Sequence, residues 1–219
     1  MTKIFAHRGY HHKNIKENSI QSLKAAYEHN FEGIEFDIWY LESCLHNLVI
    51  KHDEPKEQEI LTLPKLADYF LYQNHFEYWL DFKNLNQKNA TTALIEVQKI
   101  ILNRKIDLNK LYFAPAITNQ DLASKIYPII REIFGNSANI VAFCEELKDG
   151  EIKNYHQFLQ QNQITFLSIN HDLINQKLVE QLKDIMIFAW TVDSGSRLKE
   201  LETLGIKHFA SNTLKPKNP

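Results

Sequence analysis

Glycine is scarce in this chain, 6 of 219 residues, and neither GxGxxG nor GxxxxGK occurs. The glycine-rich loops that cradle nucleotide phosphates in doubly wound sheets and P-loop folds are therefore excluded. Cysteine is scarcer still, with two residues, Cys44 and Cys144, outside any CxxC spacing. This removes a thiolate metal cluster and leaves two ordinary thiols, as suits a reducing compartment. A large net charge is also missing: the formal charge is −2, so no global field holds a nucleic acid or an anionic membrane. An anionic substrate must be met by local cations. Long apolar runs are absent too, and the opening Met1-Thr2-Lys3-Ile4-Phe5-Ala6-His7 turns polar at once. It gives neither a secretory leader nor a membrane span, so the expectation is a cytoplasmic protein with no stable membrane insertion.

What the chain does have is rhythm. Short apolar runs alternate with segments of helical period, the βαβα pattern of a parallel sheet covered by helices. Strands are expected at Lys3 to Ala6, Gly33 to Ile38, Tyr78 to Phe82, Leu111 to Ala114, Ile140 to Phe143, Thr165 to Ile169, Ile185 to Thr191 and Lys207 to Ala210. Helices are expected at Ser19 to His29, Leu63 to Gln73, Gln87 to Asn103, Asn119 to Phe134, Asn154 to Gln161, Ile174 to Leu182 and Ser196 to Leu204. A further run, Leu48 to Lys51, reads as a hairpin extending from the second strand. The expected fold class is α/β, a compact (β/α)8 TIM barrel, as one domain over residues 1–219.

Such a barrel carries its active site at the C-terminal ends of the strands. That rim would collect His7, Glu35, Asp37, Asp81, Lys83, Asn170, His171, Asp193, Ser211 and Asn212. Glu35 and Asp37 are two apart, so on a strand both point to one face and Phe36 to the other. They belong either to a solvated edge strand or to an inward pair neutralised by a hard divalent cation such as Mg2+ or Ca2+. Asp81 and Lys83 repeat the spacing. They either complete that site, acid toward the metal and lysine toward a phosphate, or pair with each other at the rim. His7 and His52 are the candidates for proton transfer near neutral pH, although a strand-end histidine also serves as a structural hydrogen-bonding group. Arg8 offers a planar fork to a phosphate, and Gly9 either lets the backbone approach an anion or makes an ordinary turn.

The ordered set His7-Arg8-Gly9, Glu17-Asn18-Ser19, Gly33-x-Glu35-x-Asp37, His52-Asp53 and Leu80-Asp81-Phe82-Lys83 resembles the glycerophosphodiester phosphodiesterases, relatives of phosphatidylinositol phospholipase C in the PLC-like phosphodiesterase superfamily. The resemblance covers residues 6 to 83 well; beyond them it rests on barrel rhythm, Ala189 to Asp193 and Gly205 to Pro216. It implies metal-dependent hydrolysis of a small-molecule glycerophosphodiester to an alcohol and glycerol 3-phosphate. By position, His7 and His52 become the general acid/base pair, Glu35 and Asp37 metal ligands joined by Asp81, and Arg8 and Lys83 phosphate contacts, with Glu17 beside them. Trp190, at a strand end, either walls the substrate pocket or packs the barrel. Two other readings stay open: a phospholipase C or D relative acting on a lipid- or glycan-linked phosphodiester, and a phosphate-binding barrel without turnover.

The chain departs from the family at several points. Asp81 stands where glutamate is usual, which retracts the carboxylate by roughly 1.5 Å, one bond length. Residues 41–47 replace the usual threonine and Asp-Gly pair, and no chemistry is expected of that turn. Only 28 residues separate His52 from Asp81, so the capping insertion is trimmed and the mouth is expected to be open. Asn212 stands where an acid is common. Asn170 and His171 are further candidates for substrate contact by rim position, and the tail from Lys215 is expected to fray.

Overall fold

The computed structural model describes residues 2–42, 47–72, 75–148 and 150–216. Cys44 and most of the turn before β3 lie outside the described residues, as do the last three of the tail. Nine strands form one sheet: β1 (Lys3–His7), β2 (Gly33–Tyr40), β3 (Leu48–Ile50), β4 (Glu77–Phe82), β5 (Leu111–Pro115), β6 (Asn139–Cys144), β7 (Phe166–Asn170), β8 (Met186–Trp190) and β9 (His208–Ser211). Eight of them pair in parallel, and the β1–β2 pairing closes the ring; β3 alone is antiparallel, a hairpin on β2. The eight expected strands and the hairpin are all present, with ends moved by one or two residues. The result is a closed (β/α)8 barrel.

Helices α1 (Ile20–Glu28), α2 (Leu66–Tyr69), α3 (Ala90–Arg104), α4 (Gln120–Phe134), α5 (Ile152–Gln161), α6 (Gln176–Gln181) and α7 (Gly195–Thr203) cover the outside. Several begin where a short polar side chain can take up a free N–H: Ser19 accepts from Ser22 N, Asn119 from Leu122 N, Asn175 from Leu178 N and Ser194 from Arg197 N. The helix expected at Leu63 to Gln73 is corrected. Leu63 to Lys65 are extended because they run along the hairpin, with Ile50 N donating to Pro64 O at 2.9 Å and Val49 bridging Lys65. Only Leu66–Tyr69 is α-helical, followed by a 3-10 turn at Phe70–Tyr72 and preceded by another at Glu57–Thr62.

Strand alternation divides the side chains into two cores. Outward residues such as Phe36, Tyr78, Leu80 and Phe113 pack under the helices. Inward, Phe5, Trp79, Tyr112, Val141 and Phe188 fill the barrel, with Phe166 and Trp190 against them. Phe5 stands edge-on to Trp79 at 6.0 Å, and Trp79 edge-on to Phe188 at 5.1 Å. Gly33 is what admits the Phe5 ring: a Cβ there would lie 2.4 Å from it. This aromatic plug is the floor of the site, one layer below the polar strand ends.

Candidate active site

Parallel register brings the acids together. His7 is level with Glu35 on β1 and β2, and Asp37 is level with Asp81 on β2 and β4. All four point inward, directly above the aromatic floor. Glu35 and Asp37 are 3% and 1% exposed, which excludes the solvated edge strand. Oxygens of Glu35, Asp37 and Asp81 lie within 4.8 Å of one another.

The loop after β1 supplies the cationic wall. Arg8 adopts a left-handed backbone, φ 55°, a conformation that costs an L-residue roughly 1–2 kcal/mol. It sends Arg8 N to Glu35 Oε2 at 2.9 Å, brings Arg8 Nε within 3.3 Å of Asp37 Oδ2 and lets Nη1 donate to Glu17 at 3.1 Å. Asn18, also left-handed at φ 51°, donates from Nδ2 to Asp37 Oδ2 at 2.6 Å. Gly9 makes a turn, its N–H donating to Ala6 O at 3.2 Å with φ at 76°, and it also packs closely, since a Cβ there would meet Ser22 Oγ of α1 at 2.4 Å. On the far side, Lys83 Nζ lies 2.7 Å from Asp37 Oδ1 and 2.7 Å from Asp81 Oδ2. The lysine pairs with its strand neighbour, and with Asp37 as well.

These contacts set the ionisation. Burial, reinforced by Asp37 and Asp81, pushes the Glu35 carboxyl well above the usual range. Burial and Asp37 raise Asp81 as well, against the pull of Lys83. Asp37 goes the other way, because Lys83, Arg8 and Asn18 outweigh its burial. Burial, with Arg8 adding to it, lowers His7 to about 4.

A cavity of about 220 Å³ opens at this end of the barrel. His7, Arg8, Glu35, Asp37, His52, Asp81, Lys83 and Trp190 all line it. Glu17 meets the site through Arg8 rather than on that wall. His52 follows the hairpin, its carbonyl accepting from Trp39 Nε1 at 3.2 Å and its Nδ1 lying 2.9 Å from Asp53 Oδ1. Trp190 stacks on Phe143, rings 5.6 Å apart and 6° from parallel, as an apolar wall. Trp79, Phe143, Glu145 and Ser168 line the cavity without having been singled out in the sequence; Trp79 could have been found, two residues before Asp81 on one strand face. Asn170 caps the turn after β7 by accepting from Asp172 N, and the His171 backbone carbonyl accepts from Arg197; neither residue lines this cavity.

The donor set fits a divalent cation. It is all oxygen, burial together with the neighbouring acids pushes two of the three carboxyls up, and buried Asp81 Oδ1 accepts no hydrogen bond among the described residues. Lys83 is the competitor for the same oxygens.

No protein-family model and no curated protein sequence matches the chain. Solved structures do match. A glycerophosphodiester phosphodiesterase from Parabacteroides distasonis is similar with a TM-score of 0.74 at 19% identity, over 96% of this chain and 92% of that one. One from Thermotoga maritima gives 0.73 at 19% identity, over 97% and 95%. An Oleispira antarctica phosphodiesterase in complex with the product sn-glycerol-3-phosphate gives 0.75 at 14% identity, over 96% and 92%. At these identities the shared property is the barrel fold, across nearly the whole length of each chain.

Proposed function

We propose that this chain is a glycerophosphodiester phosphodiesterase, a phosphoric diester hydrolase that releases an alcohol and glycerol 3-phosphate. The observation that carries the reading is the convergence of His7 and His52 on one cavity with three clustered carboxylates, Arg8 and Lys83. The product-bound Oleispira structure, on the same fold, supports the glycerol phosphate part.

Glu35, Asp37 and Asp81 would hold the cation, Mg2+ or Ca2+, which supplies electrophilic pull on a phosphoryl oxygen. Arg8 and Lys83 bind the remaining phosphate oxygens, the guanidinium through its planar fork. One histidine takes the proton of the glycerol 2-hydroxyl as that oxygen attacks phosphorus, and the other protonates the departing alcohol oxygen. Water then opens the cyclic phosphate with the two roles reversed. Each histidine contributes about 10²- to 10⁴-fold. The aromatic floor and the Trp190–Phe143 wall give the charged groups an apolar backing on one side, which strengthens their interactions there.

The test is release of glycerol 3-phosphate from a panel of glycerophosphodiesters by the purified protein, with EDTA, Mg2+ and Ca2+ in parallel. Metal-restored release is expected, lost in His7→Ala and in His52→Ala with metal affinity retained. Retained turnover in either variant removes that histidine from the scheme. Metal affinity without hydrolysis of any diester selects the phosphate-binding barrel, a reading that the Lys83–Asp81 contact favours.

A further inference from the structure

The loop after β8 and the end of β9 are joined through one carboxylate. Asp193 Oδ1 accepts from Asn212 N at 2.7 Å, from Ser211 Oγ at 2.9 Å and from Thr213 N at 3.2 Å, while Oδ2 accepts from Asn212 Nδ2 at 2.8 Å. An ionised carboxylate only accepts. The Asn212 amide must therefore face Asp193 with its NH2 group, and its oxygen is turned the other way. There Asn212 Oδ1 lies 2.8 Å from His7 Nδ1. An amide oxygen also only accepts, so the proton of a neutral His7 ring sits on Nδ1. Nε2, 3.8 Å from Glu35 Oε2, is left with a free lone pair beside the carboxylates.

We infer that Asp193 is a positioning residue that fixes the His7 tautomer through Asn212 and thereby makes His7 the proton acceptor of the first step, leaving His52 the donor. The inference rests on the proposed hydrolysis for the catalytic roles, but the tautomer stands on the hydrogen bonds alone. A carboxylate at position 212 would meet Asp193 as a like charge; asparagine can donate to one neighbour and accept from the other. That gives a physical reason for an amide where an acid is common in the family.

The relay can be inverted by one atom. In Asp193→Asn, an NH2 group replaces Oδ2 opposite the Asn212 amide, and two donors meet. Turning the Asn212 amide relieves the clash and presents NH2 to His7 Nδ1, which drives the ring to the Nε2–H form. In the double variant Asp193→Asn, Asn212→Asp, the amide at 193 donates to the carboxylate at 212, which again accepts from His7 Nδ1. The measurement is 15N NMR of the His7 ring in the metal-free protein near neutral pH, together with kcat and KM of the metal-loaded protein. The expected result is Nδ1–H in the native chain, Nε2–H in the single variant and Nδ1–H again in the double variant. The single variant should lose about 10²- to 10⁴-fold in kcat, the span of one acid/base group, with KM nearly unchanged, and the double variant should recover it. Nε2–H in the native chain, or Nδ1–H retained in Asp193→Asn, overturns the inference. A tautomer that switches as expected in a protein that hydrolyses no diester leaves the relay standing and removes the proposed function instead.

Discussion

Asp37 and Asp81 stand level on neighbouring strands and share the ammonium of Lys83, 2.7 Å from an oxygen of each. The lysine holds together two carboxylates that would otherwise repel at close range, and it occupies oxygens that a metal would need. Metal binding and lysine pairing are thus alternatives at this site.

Lys83→Gln should bind Mg2+ or Ca2+ more tightly than the native chain. An opposite charge at this range shifts a carboxylate by 1–3 pKa units, so removal of the competitor is worth about tenfold or more. Isothermal titration with each cation measures it. Hydrolysis should fall in the same variant, since the phosphate loses a cation; weaker metal binding would show that Lys83 supports the site rather than competes for it.

Glu35 is a buried acid that costs the fold stability near neutral pH. Its folded pKa is raised by burial and by the neighbouring acids. The stability it contributes is therefore complete below its unfolded value and is lost as pH rises through the folded value. Glu35→Gln keeps an acceptor for Arg8 N and removes that loss. Without metal, its melting temperature should exceed that of the native chain by a margin that grows with pH above the ordinary carboxylate range. Its response to Mg2+ or Ca2+ should disappear. A variant less stable than the native chain at pH 8 would contradict this account.

Acid should destabilise the barrel well before its surface carboxylates titrate. Burial lowers His7, and burial with Lys3 nearby lowers His208; both fall to about 4 from an ordinary 6.5. A histidine whose folded pKa is depressed supports the fold fully above its unfolded value, and that support is lost as pH falls from about 6.5 toward 4. His208 stacks on Phe188 at 4.6 Å inside the barrel. His208→Phe should therefore flatten the melting temperature across that window, as followed by circular dichroism. An unchanged pH profile would place the acid sensitivity elsewhere.

Gly33→Ala should cost about 1–3 kcal/mol, the range for overpacking a core, because its methyl would press on the Phe5 ring at the centre of the floor. Urea unfolding measures the loss. Phe5→Leu in the same chain should recover part of it, and additive losses would mean that the two residues do not contend for space.

The strands were legible because each is a short apolar run between polar segments, and the closed barrel follows from eight such runs with helices between them. The paired spacing of Glu35 with Asp37, and of Asp81 with Lys83, placed each pair on one strand face. The helix expected from Leu63 starts only at Leu66, because the residues before it are held by the hairpin, a contact that local periodicity does not register. Asn18 stood in view between Glu17 and Ser19, yet nothing local says that its amide reaches Asp37 across the loop.

By itself the sequence determined which residues share a strand face, the alternation of strands with helices, and which types of chemistry are available, because all of these follow from periodicity and side-chain type. Tertiary structure decided the rest. Only the pairing of the strands sets Asp37 level with Asp81, brings Lys83 between them and carries Asn212, held by Asp193, to His7. Hydrogen bonds and ion pairs act over about 3 Å, and that distance between residues as much as 205 positions apart is fixed by strand register, which no local pattern encodes.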